Sequence, residues 1–133
     1  SQTDGGATIQ LCKSKAVIEI ESKIEEIRQN DGCDSDIARY LTSLDADDQI
    51  FGLSRAFYIA VKITNEKLSD LKGFSLEDRA THFKALINFT DFAQLRLIMI
   101  SAQFLEYESA KYLRTSKEFL DVLKELGLGC DLY

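Results

Sequence analysis

The sequence predicts an all-α fold: a single-domain antiparallel bundle of five to six helices around a central helix near residues 91–113 that is apolar on every side. Three observations carry this expectation. The 133 residues contain no proline, and Gly73 is the one glycine between Leu53 and Leu126, so residues that disfavour helix interiors are nearly missing from the C-terminal two thirds. Apolar residues recur every three or four positions, the spacing of one helix face. Short clusters containing Ser, Thr, Asp or Asn interrupt these runs where N-caps belong.

A chain of 133 residues has the size of one ordinary domain and buries roughly two thirds of its unfolded surface, enough for a core without metal or disulfide staples. The expected organisation is a disordered tail over 1–8, a single helical domain over 9–128 and a C-terminal tail over 129–133. Gly5-Gly6 marks the first tail. From there Ile9, Cys12, Ala16, Ile20, Ile24 and Ile27 form one helix face, with Lys13, Glu19, Lys23, Glu26 and Arg28 on the others. Isoleucine is a mediocre helix former, so this helix should depend on packing against a neighbour. Asn30-Asp31-Gly32 supplies its stop.

A short helix is expected from about Ser35 to Ser43, burying Ile37, Tyr40, Leu41 and Leu44. Asp45 then reads as an N-cap, with Asp47 and Asp48 in the first turn of a helix over 46–72, where carboxylates meet the positive end of the helix dipole. Its core stripe is Ile50, Leu53, Phe57, Val61, Thr64, Leu68 and Leu71, and Gly73 suits the left-handed residue at its end. Ser75 and Asp78 resemble a capping box opening a helix whose inner face is Leu76, Ala80, Phe83 and Ile87.

Continued without a break to Leu126, that helix would be about 75 Å long, twice the width of a domain of this size. Breaks are therefore expected at 88–91, with Thr90 as cap, and at 114–116, with Thr115 and Glu118 as a capping box. Between them lie Phe92, Ala93, Leu95, Leu97, Ile98, Met99, Ile100, Ala102, Phe104 and Leu105, which cover nearly every side of a helix. Such a helix belongs at the centre of a fold. The last helix turns Phe119, Leu120, Leu123 and Leu126 inward and stops at Gly127, with Leu128 placed to close a Schellman turn on Leu123.

Charge is lopsided. Residues 1–48 carry eleven acids against five bases, residues 49–133 eleven of each, so the net charge of −6 lies in the first third. It is densest where Asp31, Asp34, Asp36, Asp45, Asp47 and Asp48 face Arg39. Nucleic acid is disfavoured as a partner because no basic cluster is present to replace counterions on phosphates. A membrane span is not expected either: the longest apolar run, Leu95–Ile100, is interrupted by Arg96, whereas a span needs about 18 to 20 apolar residues.

Motifs for chemistry are sparse. His82 is the single histidine; Asp78 one turn earlier could orient it, but Phe83-Lys84-Ala85 lacks the lysine and glycine spacing of histidine phosphotransfer domains. A dimetal bundle needs two Glu-x-x-His motifs, and the loop starting at Asp45 has Ile50 and Ala56 where a calcium loop needs glycine and glutamate. No metal, cofactor or catalytic residue is expected. Cys12, Cys33 and Cys130 match no zinc or redox spacing, so free thiols and an intracellular, cytoplasmic location are expected, with a Cys12–Cys33 bridge the alternative.

The functional expectation is a non-enzymatic adaptor or regulatory module that binds a protein partner of basic character through Asp34, Asp36, Arg39, Tyr40, Asp47 and Asp48. The apolar helix over 9–29 offers a self-association surface. The alternative is a bundle enclosing an apolar small molecule among Phe83, Ile87, Phe92, Met99 and Phe104.

Overall fold

The structure is a computed structural model that describes the backbone of residues 2–44 and 51–133 and the side chains of 14–44, 51–52 and 54–133. Among these residues it holds seven α-helices and no strand: α1 (Gln2–Gln29), α2 (Asp34–Leu44), α3 (Gly52–Lys67), α4 (Leu76–Asn88), α5 (Phe92–Phe104), α6 (Glu108–Thr115) and α7 (Lys117–Glu125), with a 3-10 turn at Asp70–Lys72. α1 begins at Gln2, well before Ile9. The expected N-cap Asp45, first-turn residues Asp47 and Asp48 and core residue Ile50 lie outside the described residues, as do the side chains of Ile9, Cys12 and Leu53.

The all-helical expectation holds, and the larger helix count has one cause. The helix expected over 91–113 is two, because Leu105 and Tyr107 adopt extended backbone with ψ of 150° and 151°. Arg114 reaches back from α6 and donates to the carbonyls of Ala102 at 3.2 Å and Leu105 at 2.5 Å, satisfying acceptors that the end of α5 leaves open. The turn lets α6 pack against both α3 and α5. Glycine and proline do not mark this break; the end of the apolar run at Glu106 does.

α5 is central. It touches α1, α2, α3 and α6, and its faces belong to two cores. Ala93, Leu97, Ile100 and Phe104 pack with Val17, Ile20 and Ile24 of α1 and Ile37 and Leu41 of α2. Leu95, Ile98, Met99 and Ala102 pack with Phe57 and Val61 of α3, Phe83 and Ile87 of α4, Leu113 of α6, and Phe119, Val122 and Leu123 of α7. A helix between two cores has to be apolar on opposite sides. Several residues expected to be buried are not: Leu71 is 99% exposed, and Leu44, Leu76, Phe92 and Leu126 are also exposed. Leu71 falls in the 3-10 turn after α3 has ended at Lys67, so the periodicity of the helix no longer applies to it.

The ends of the helices mix expected and unexpected devices. The Ser75–Asp78 capping box forms, with hydrogen bonds of 2.8 and 3.1 Å. Gly127 has φ of 75°, and its N–H and that of Leu128 bond Lys124 and Leu123 at 3.0 and 2.9 Å, completing the Schellman turn. α5 is capped by Asp91, which accepts from Gln94 N–H at 3.2 Å; Thr90 instead turns its hydroxyl to the Leu86 carbonyl. The Thr115–Glu118 box does not form, because Thr115 bonds the carbonyl of Lys111 and Glu118 is held by Arg79.

α1 ends in a Schellman turn with an aspartate in the left-handed position. Asp31 has φ of 61°, its N–H bonds the Arg28 carbonyl at 3.1 Å, and Gly32 N–H bonds the Ile27 carbonyl at 2.8 Å. A side chain in that region costs about 1 to 2 kcal/mol relative to glycine. Asp31→Gly is therefore expected to stabilise the fold by about 1 kcal/mol. Gly32→Ala is expected to destabilise it by about 1 to 3 kcal/mol, because the added Cβ would lie 2.7 Å from the Ile27 carbonyl oxygen and overlap the Ile27 side chain. Urea denaturation of both variants checks this turn; shifts of equal sign would contradict it.

Two caps also set the acid limit. The carboxyl of Asp36 is held below its usual pKa by the Cys33 backbone N–H and then by the Cys33 thiol, and that of Asp78 by the Ser75 backbone N–H and then by the Ser75 hydroxyl. A carboxyl depressed on folding contributes stability above its unfolded pKa and loses it as pH falls through the folded value. The denaturation midpoint is expected to decline once pH drops below about 4. Asp78→Asn should reduce the steepness of that decline; an unchanged profile would show that the cap does not titrate as described.

Candidate interaction surfaces

Of the acidic residues singled out from the sequence, Asp34 and Asp36 sit on α2 and Asp31 on the turn before it, and folding gives the first two local work. Asp34 pairs with Arg28 of α1 at 2.6 Å. Asp36 accepts the Cys33 N–H at 2.9 Å, faces the Cys33 thiol at 3.4 Å and lies 3.5 Å from Arg39. Tyr40 is half-buried, and its phenol is raised above the usual pKa by burial and then by Glu19 of α1. Asp34, Asp36, Arg39 and Tyr40 are thus together on one helix beside α1, while Asp47 and Asp48 are outside the described residues. On α1 and the turn that follows it, Glu19, Glu25, Glu26 and Asp31 are exposed.

The expected apolar-ligand residues do not converge. Phe83, Ile87 and Met99 are packed in the core between α3, α4, α5, α6 and α7. Phe104 belongs to the other core, with the Arg28 guanidinium 5.6 Å over its ring. Phe92 points outward beneath Arg96, 5.4 Å away. The five side chains therefore fill two cores and a surface position rather than line one cavity, because α5 presents Met99 and Phe104 to different neighbours.

The remaining chemical candidates are also accounted for. His82 is exposed, and the Asp78 carboxylate that was to orient it is held by Ser75. Among the described residues no three His, Cys, Asp or Glu side chains are grouped to hold a metal ion, and no helix is long and apolar enough to cross a membrane. Cys33 and Cys130 are free thiols. Burial, then the Asp131 carboxylate, pushes Cys130 up to about 12 against the lowering influence of Arg114, which keeps it in the unreactive thiol form.

The stretch expected as a C-terminal tail is pinned to the bundle. Tyr133 accepts from Arg28 at 3.2 Å through its carbonyl, its N–H donates to Gln103 at 3.1 Å, and its hydroxyl donates to Glu21, which also pairs with Arg96. Its ring packs on the α1–α2 core. On α1 itself Val17, Ile20, Ile24 and Ile27 are packed within the chain, which leaves Ile18 as the exposed large apolar side chain among the described residues of that helix. Self-association through residues 9–29 has little described apolar surface to use.

Sequence reasoning missed a surface on α3. Phe57, Val61 and Thr64 face inward, yet Ile59 and Ile63 on the other side are 52% and 50% exposed. Beside them an open groove of about 400 Å³ is lined by Arg55, Tyr58, Ile59, Tyr107, Glu108 and Ser109. Tyr58 meets Tyr112 edge-on at 5.2 Å, so the α3–α6 contact continues below the groove. The available signal was a second apolar pair, four residues apart, off the main stripe. No protein-family model matches the chain, nor does any curated protein sequence or solved structure.

Proposed function

We propose that the chain is a non-enzymatic interaction module, an adaptor or regulatory unit, whose acidic α1–α2 edge receives a basic segment of a protein partner. The observation that supports this reading is that, among the described residues, most of the acids of α1, α2 and the turn between them stay outward after folding. Residues 14–44 hold seven acids against four bases; Glu19, Glu25, Glu26, Asp31 and Asp34 are exposed, and Tyr40 lies among them. An outward field of one sign speeds encounter with an oppositely charged partner and sets its orientation, and salt screens it. A cytoplasmic setting belongs to the same reading, supported by the free thiols at Cys33 and Cys130.

Affinity capture from the source cells, followed by identification of the bound protein and measurement of its binding, tests the reading. Glu19→Lys/Glu25→Lys/Glu26→Lys reverses charge on α1 without touching a buried group. It is expected to weaken the captured partner by about tenfold or more at low salt, with the difference shrinking as ionic strength rises. A partner that binds this variant as well as the parent, or one without a basic segment, would overturn the proposal.

A further inference from the structure

α3 has two apolar sides, and its own fold uses one. The outward stripe runs Gly52, Ala56, Ile59, Ile63, with steps of four, three and four residues. That is the alternating spacing by which one helix seats another. Ala56, Ile59 and Ile63 are exposed, and nothing lies within 4 Å of a Cβ built at Gly52. Single exposed isoleucines are ordinary on protein surfaces. Here the pair continues into the α3–α6 groove, where Tyr58 and Tyr107 add aromatic surface with polar tips, the kind of side chain that anchors protein contacts.

Charge decides what fits along the stripe. α3 carries Arg55, Lys62 and Lys67 against Glu66, a balance of +2 in a chain whose net charge is −6. Lys62 sits 5.8 Å over the Tyr58 ring, so a cation borders the groove directly, with Glu108 as its one lining carboxylate. A second copy of this chain laid along α3 would bring the same cations against each other. A helix flanked by carboxylates would meet them with opposite charge, the arrangement that selects partners in helix pairing.

We propose that the outward face of α3, together with the α3–α6 groove, docks an amphipathic helix of a protein partner whose apolar stripe is flanked by glutamate or aspartate. Ile59 and Ile63 seat the stripe, the Tyr58–Tyr107 groove takes one larger apolar side chain, and Lys62 and Lys67 pair with the flanking carboxylates. This surface is separate from the acidic α1–α2 edge, so the module has two faces of opposite preference.

The test uses the full chain and a labelled three-heptad peptide with leucine at the a and d positions and glutamate at e and g, whose like charges keep it from pairing with itself. A second peptide carries lysine at e and g. Fluorescence anisotropy is expected to show the glutamate peptide binding about tenfold or more tighter than the lysine peptide. Ile59→Ser/Ile63→Ser should weaken it by about tenfold or more, and Lys62→Glu/Lys67→Glu should remove the preference for glutamate. Ile59, Ile63 and Lys67 are exposed and Lys62 is half-buried over Tyr58, and thermal melts confirm that each variant is folded. The α1 charge-reversal variant should bind the glutamate peptide like the parent, which separates this surface from the acidic edge. Absence of glutamate-peptide binding, equal binding by the serine variant, or a dimer in sedimentation equilibrium that the serine variant abolishes would overturn the proposal.

Discussion

Phe119→Ala is expected to cause the largest loss of stability of any single replacement in the described core. The side chain is 1% exposed, and its ring lies 5.6 Å from that of Phe57 on α3 and 5.7 Å from that of Phe83 on α4. It therefore joins three helices at one point. Removing a buried phenylalanine costs about 3 to 5 kcal/mol through lost transfer energy and the cavity left behind. Domains of this size have a stability of about 5 to 15 kcal/mol in total, so the variant should be close to its unfolding threshold. α7 gains no side-chain bond at its N-cap Ser116 and is held to the bundle by this burial, by that of Val122 and Leu123, and by the pairing of Glu118 with Arg79. Urea denaturation measures the loss; less than about 1 kcal/mol would mean that the ring cluster is not the joint described. Phe119→Leu retains most of the volume and should cost less than half as much.

The second large effect is expected at Arg79. Its guanidinium, 7% exposed, makes a two-pronged pair with Glu118 at 2.7 and 3.1 Å and reaches Asp70 and the Leu68 carbonyl at 3.0 and 2.9 Å. One side chain thus ties the end of α3, the 3-10 turn, α4 and α7. The pairing with Glu118, followed by that with Asp70, raises the Arg79 pKa, so the charge persists at any pH at which the fold exists. Arg79→Ala leaves a part-buried carbonyl and a part-buried carboxylate without their donor. The melting temperature is expected to fall by roughly 5 to 10 °C. Arg79→Lys should recover only part of it, because an ammonium cannot serve this fork of acceptors. In a double-mutant cycle, Arg79→Ala with Glu118→Ala should cost less than the two single changes added together. Strict additivity would show that the pair is not coupled.

The Arg79 network also shows why the sequence reading stopped where it did. Arg79 lies one position from the expected inner residue Ala80, and nothing local indicates that a charged residue on α4 will be buried against Glu118, 39 residues later. The same holds for Arg114, whose bonds to α5 carbonyls accompany the unexpected break at Leu105, and for Tyr133, which docks onto Glu21 and Gln103. Each depends on a partner distant in sequence. Local devices read better: the Ser75–Asp78 box, Gly73 in the left-handed region and the Gly127–Leu128 turn are present, their partners lying within six residues, whereas the Thr115–Glu118 box is lost where the distant Arg79 takes Glu118.

The candidate surfaces divide in the same way. The acidic excess before Asp48 is a property of composition, visible before folding. Only folding shows that Asp34 stays exposed while it pairs with Arg28, and that Asp36 is part-buried where it accepts from Cys33. The α3 stripe could be seen as Ile59 and Ile63 four residues apart, but periodicity alone does not say which of two apolar sides a helix will bury.

The sequence by itself determined that the chain is helical, that its centre is the run from Phe92 to Leu105, and that its charge is concentrated at one end. These follow from propensity and spacing, which act over a few residues. Tertiary structure decided that α5 serves two cores, which separates Met99 from Phe104, that α6 turns away at Leu105, and that Ile59 and Ile63 stay outside. Those outcomes rest on which surfaces meet, and the burial energy that selects them comes from residues far apart along the chain.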